Sequence, residues 1–277
     1  MATRDDKTVE RERYDRGAMR LLDVDSPGNG SHHLGAASIV PTLRPPYTLY
    51  EQRISALARP EHHVLELGAG AGMHTGALLS TGARVIACDI SPYSLALLKR
   101  RLATSSGGRL HVQPADMEVL PFDDSSFDIV TSAGSLSYGD PELVDAEVQR
   151  VLKPGGAFIC VDSLNHSPIY RLNRWLRYRL GQRTRSTLLR MPTLARIEAI
   201  SANFESVEVR FFGSVTWAMP VLVPLIGADR AVSLSDFCDR LIDVKRSAFK
   251  FVLVGKGVRP LQPGHHFTGL TATDATN

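Results

Sequence analysis

Between about residue 63 and residue 162, short runs rich in β-branched and other apolar residues alternate with stretches whose apolar positions recur at helical spacing. Period-two or continuous apolar runs of five or six residues predict strands near 63–67, 84–89, 109–113, 127–132 and 157–162. The intervening segments predict helices over 72–80, 92–103 and 141–152, the last stopped by Lys153, Pro154, Gly155 and Gly156. Two more strands, near 206–212 and 249–254, complete a set of seven. Strands separated by helices need crossover connections, so the pattern predicts an α/β fold, a doubly wound, seven-stranded, mostly parallel sheet.

Two stretches break this rhythm and read as insertions, 163–190 and 213–247, within a main domain expected over 61–257. Residues 1–60 mix charge with Gly and Pro and read as a helical and loop segment lying over the cleft. Within it DVDSPGNGSHH predicts a loop, PTLRPPYTLY excludes a regular helix through its prolines, and TLYEQRISALA predicts a helix after Pro46. Residues 258–277 read as a polar, mobile tail.

Composition adds exclusions. Hydrophobic content of 43% and charged content of 22% fit an ordinary globular core. A net charge of +3 is too small to imply nucleic acid as a partner. Cys88, Cys160 and Cys238 lack zinc or disulfide spacing, which predicts a reducing, cytoplasmic setting and no metal. The charged start has no apolar leader core, and no apolar run approaches the ~20 residues that span a bilayer.

Chemistry concentrates in VLELGAGAGMHTGALL, where a strand runs into Gly68, Gly70 and Gly72 and then a helix. Glycine permits positive φ and close backbone approach, so such a loop makes a shelf for a nucleotide-like ligand, or a tight turn with no ligand. Asp89 ends the next strand 23 residues after Glu66, where a carboxylate accepts both hydroxyl protons of a ribose. A dinucleotide fingerprint would need glycine at Met73, and the spacing here suits a cofactor without phosphate.

Four ordered motifs, LELGAGAG, ACDIS, ADMEVLPFDDSSFDIV and EVQRVLKPGG, span residues 62–162 and resemble the class I S-adenosylmethionine-dependent methyltransferases. The resemblance is to the small-molecule branch that includes the ubiquinone and menaquinone methyltransferases. It implies S-adenosylmethionine as cofactor, with Glu66, Gly68, Gly70 and Gly72 under its methionine part. It implies further that Asp89 binds the ribose and Ile90 packs on the adenine. Asp116 and Met117 would hold the adenine edge, and Ser132, Ala133 and Gly134 would lie beside the sulfonium. Each has a plainer reading too: Glu66 as a loop cap, Asp116 as a helix cap and Met117 as core.

Methyl transfer to an alcohol needs a proton acceptor near the C-terminal strand ends, which makes His166, in VDSLNHSP, the first catalytic candidate and Tyr138, in SLSYGD, the second. A loop histidine bonded to backbone is the alternative for His166. His32 and His33 lie in a segment that could fold over the cleft. Between Ile169 and Arg190 there are seven arginines and no acid, with Tyr170, Trp175 and Tyr178 interleaved. Arginine forks suit phosphates and carboxylates, so Arg171, Arg174 and Arg177 are candidate acceptor-binding residues; a solvated helix that packs through Trp175 is the alternative. WAMPVLVPLIG reads first as a lid, and otherwise as a homodimer face or a peripheral membrane contact. Relatives of this type join the last strands by a short hairpin, so the insertion departs from them.

Together these readings predict methylation of a small anionic acceptor, O-methylation of a glycan or glycolipid precursor first. Alternatives are C-methylation of a quinone or polyketide-like molecule, favoured by an apolar pocket without arginine, and a non-catalytic cofactor-binding protein.

Overall fold

The computed structural model describes residues 4–24, 34–179, 184–241 and 244–259. His32 and His33, Arg183 and the segment 260–277 lie outside them. Seven strands form one sheet in the order β3-β2-β1-β4-β5-β7-β6. They are β1 (His63–Leu67), β2 (Arg84–Asp89), β3 (Leu110–Pro114), β4 (Phe127–Ala133), β5 (Leu152–Ser163), β6 (Phe204–Phe212) and β7 (Lys250–Val258). β1 to β5 pair in parallel, and β7 runs antiparallel to both β5 and β6. The predicted doubly wound, mostly parallel sheet is the one observed.

The central strands are buried on both sides and mostly apolar because both faces are covered. On one face α2 (Pro45–Leu57), α3 (Thr75–Ser80) and α4 (Pro92–Leu102) bury Tyr50, Ile54, Leu78, Leu95, Leu98 and Leu102. On the other, α5 (Pro141–Val151) and α8 (Leu194–Ala202) bury Val144, Val148, Val151, Ile197 and Ile200. Each such side chain contributes about 1.5–3 kcal/mol when removed from water. The helix starts are written locally. Ser91 accepts from the Ser94 N–H ahead of Pro92, and Asp140 accepts from Glu142 N–H ahead of Pro141.

Three local expectations are corrected. α3 starts at Thr75 rather than 72, since Gly72 takes φ 84°, outside the helical region. The PPYTLY stretch is helical after all, because Pro45 and Pro46 occupy the first turn, where a missing N–H costs nothing. Lys153 to Gly156 do not merely stop a helix but begin β5, across a register shift between Phe127 and Ile129.

The N-terminal segment opens with a long helix, α1 (Arg4–Val24). The first insertion folds as α6 (Pro168–Arg179) and α7 (Arg185–Leu189). The second forms a short 3₁₀ turn (Thr216–Ala218), α9 (Met219–Ile226), α10 (Ala228–Leu241) and α11 (Val244–Ser247).

Candidate active site

The C-terminal tips of β1, β2 and β4 enclose a cavity of about 290 Å³. Gly68 and Gly70 form its floor with φ of 61° and 54°, values that suit glycine. A Cβ on Gly68 would lie 2.4 Å from that of Ser135, whereas one on Gly70 would meet only open space. Gly68 is thus fixed by packing, and Gly70 presents bare backbone to the cavity. Gly72 lines no part of it and packs on Leu98.

Asp89 ends β2 with Oδ2 accepting from Gly70 N–H at 2.9 Å and Oδ1 from Ser91 N–H at 2.8 Å. Burial raises its carboxyl above the ordinary range, against the lowering effect of those two N–H groups. Ile90 and Met117 make apolar wall, and Asp116 faces the same space just past β3. Ala133, Gly134 and Ser135 close the β4 side with Tyr138. Nine residues picked from sequence therefore converge: Gly68, Gly70, Asp89, Ile90, Asp116, Met117, Ala133, Gly134 and Tyr138.

Others support the cavity from beneath or stand apart. Glu66 is buried below the glycine loop, accepts from Thr75 Oγ1 at 2.6 Å, and is pushed up to about 7 by desolvation. Ser132 is also buried, 2.6 Å from Ser135 Oγ, whose own proton goes to the Leu67 carbonyl. His166 is exposed on the loop after β5 and is not among the lining residues. Arg171 is exposed on α6, and the Arg177 side chain lies outside the described residues. Arg174 turns inward, donating from Nη1 to the Leu164 carbonyl at 2.7 Å with its guanidinium over the Phe249 ring. Among the described residues, no arginine of 169–190 lines the cavity.

The roof is α1, part of the segment expected over the cleft, although none of its residues was singled out from sequence. Lys7, Glu10 and Tyr14 line the cavity from above. Lys7 Nζ pairs with Asp116 and Glu118, each at 2.5 Å. Tyr14 and Tyr138 hydroxyls lie 2.6 Å apart with their rings edge to face, and burial lifts the Tyr14 hydroxyl far above an ordinary phenol. Glu10 accepts from the Thr184 and Thr187 hydroxyls at 2.9 and 3.0 Å, tying the roof to α7. The available signal was the i, i+3, i+7 spacing of Lys7, Glu10 and Tyr14, one helix face that ends on buried Ala18.

This lining suits an adenosine-bearing sulfonium better than a dinucleotide. A pyrophosphate would need the start of α3, but His74 fills that place, bonded to Glu51 at 2.8 Å and stacked on Tyr47. Asp89 and Asp116 supply acceptors for a ribose and an adenine amino group, between the walls of Ile90 and Met117. Cys88 also lines the cavity, yet burial pushes its thiol up to about 12, so it is no nucleophile at neutral pH.

Residues 65–160 match the methyltransferase domain family. Over that segment, which holds the glycine loop and the strand tips, the chain is similar to methyltransferase domains. The chain is 43% identical over 110 residues to a demethylmenaquinone methyltransferase of Clavibacter sepedonicus, covering 39% of this chain and 44% of that one. It is 28% identical over 169 residues to a sterol 4-C-methyltransferase of Caenorhabditis elegans, covering 58% and 45%. Among solved structures, a Haemonchus contortus phosphoethanolamine N-methyltransferase shares the fold at TM-score 0.59 and 16% identity, over 94% of this chain and 61% of that one. The chain thus spans about half the length of the curated relatives it matches. The matched segment supplies the floor and walls of the cavity, while the roof and both insertions lie outside it.

Proposed function

We propose that the protein transfers the methyl group of S-adenosylmethionine to a small-molecule acceptor, at a ring carbon of a quinone-type molecule. The observation that carries this reading is the cradle of Gly68, Gly70, Asp89 and Asp116 inside the matched domain. Asp89 would take the ribose hydroxyls, Asp116 the adenine edge, and the bare backbone at Gly70 the methionine part, above buried Glu66. The cofactor supplies an electrophilic methyl on sulfur. The protein's own work is alignment and exclusion of water, for which the β4 tip and the α1 roof enclose the reacting end.

The carbon acceptor is supported by the relatives, whose names specify menaquinone and sterol-carbon methylation. The glycan alternative rested on arginines facing the acceptor, and Arg174 is committed to Leu164 instead. The Tyr14 and Tyr138 hydroxyl pair, with Arg13 beside it, is the polar feature we assign to an acceptor oxygen.

Calorimetry with S-adenosylhomocysteine and with NADH tests the cofactor; heat from NADH alone would replace the reading with a dehydrogenase. Incubation with methyl-labelled cofactor and either a demethylated naphthoquinol or a lipid-linked sugar tests the acceptor. Label on the quinol ring carbon is expected. Label on sugar oxygen would reinstate the glycan reading, and cofactor binding without turnover on either class would favour a non-catalytic role.

A further inference from the structure

One face of α6 is apolar and uncovered. Ile169, Leu172, Trp175 and Leu176 are all exposed at helical spacing, while Tyr170 and Arg174 on the opposite face are buried. Arg179 lies over the Trp175 ring at 5.5 Å, and Arg171 is exposed on the flank. α6 holds no acid, and neither does the sequence onward to Arg190. Close by, Trp217, Val221 and Leu225 follow one another at four-residue spacing and are likewise exposed, on α9 and the turn before it. Tyr170 donates to the Gly213 carbonyl at 2.9 Å, which brings the start of α6 against the turn leading into Trp217.

We propose that these two insertions form a docking face for an anionic lipid bilayer. Along α6 and α9 aliphatic side chains, tryptophans and arginines stand without acids, the first acid beyond α9 being Asp229, and this is the composition that binds at the headgroup boundary, where apolar groups enter the acyl edge and guanidinium groups meet lipid phosphates. A protein partner or a second copy would have to cover the arginines with acids, whereas a bilayer surface supplies the negative charge everywhere. The face stands apart from the methyl-transfer reading, since binding needs neither cofactor nor acceptor. It is joined to the cavity all the same: α7, which packs on α6, holds Glu10 of the roof.

The chain's two tryptophans, Trp175 and Trp217, are 47% and 53% exposed and belong one to each insertion, so intrinsic fluorescence reads the proposed face directly. Phosphatidylglycerol vesicles added to the full chain should shift the emission to the blue, and brominated acyl chains should quench it. Phosphatidylcholine vesicles should do much less, and added salt should reverse the effect. Arg171→Gln and Arg179→Gln should each weaken vesicle binding about fivefold, and the exposed pair Leu172→Ser with Leu225→Ser should weaken it too without loss of thermal stability. Vesicle binding that these variants leave unchanged would overturn the proposal. So would a face without response to phosphatidylglycerol whose emission instead shifts with protein concentration as sedimentation shows a dimer.

Discussion

Asp89 carries two duties at once, since the carboxylate that would meet a ribose also fixes the Gly70 and Ser91 N–H groups. Asp89→Ala should weaken S-adenosylhomocysteine binding by about 1.5–3 kcal/mol in calorimetry, the scale of a hydrogen bond to a charged group. Unchanged affinity in a folded variant would remove the ribose assignment. Glu66 offers a pH test. An unfolded glutamate loses its proton near 4.5, whereas burial delays loss in the folded chain to about 7. The folded state therefore binds more protons in that window, and its stability falls as pH climbs from about 4.5 to about 7. Glu66→Gln should keep the Thr75 bond without that loss. The melting-temperature difference should move in the variant's favour across the window and level off above it, and a difference independent of pH would refute the assignment. Gly68, Asp89 and Asp116 were legible because glycines and acids at strand tips are local signals. The partner of Asp116 was not, because Lys7 reaches it across 109 residues of chain.

At the scale of elements, the roof and α6 repay attention for opposite reasons. Glu10 joins α1 to α7 through two threonine hydroxyls, so Glu10→Ala should loosen both helices together. Hydrogen exchange should show protection falling in α1 and α7 alike, with cofactor affinity reduced; loss confined to α1 would mean that the tie carries no coupling. α6 separates packing from recognition within one turn. Arg174→Gln removes a buried guanidinium from the Leu164 carbonyl and should cost about 1–3 kcal/mol in denaturant melts, whereas Arg171→Gln should stay within about 0.5 kcal/mol. Equal costs would show that Arg174 is not held as described. Sequence reading grouped these arginines because composition cannot tell which side of a helix the core occupies. It placed the N-terminal segment over the cleft but picked out no residue of α1, whose polar make-up hides a contact face only one side chain wide.

For the whole molecule, strand and helix alternation over 63–162 was enough to predict the sheet, since the central strands are mostly apolar and α4 and α5 are each started by a side-chain cap. The antiparallel turn of β7 between β5 and β6 left no comparable mark, because direction is set by how the chain returns after α11 rather than by the strand's own residues. Nor could periodicity show that the first described helix and the first insertion meet over the β1 and β2 tips. That meeting has a kinetic meaning. If whatever the roof encloses leaves only when α1 lifts, the dwell time of the demethylated cofactor, rather than the methyl step, would set the pace of repeated turnover. Lys7 and its two carboxylates are partly open to solvent, and ions compete with such pairs. Stopped-flow displacement of bound S-adenosylhomocysteine should accelerate severalfold between low and high salt, and Lys7→Ala should be fast at both. An exit rate indifferent to salt and to Lys7 would mean that the cofactor leaves by another door. If the clock does sit in α1, the speed of this chain is written in a helix that carries none of its methyltransferase motifs.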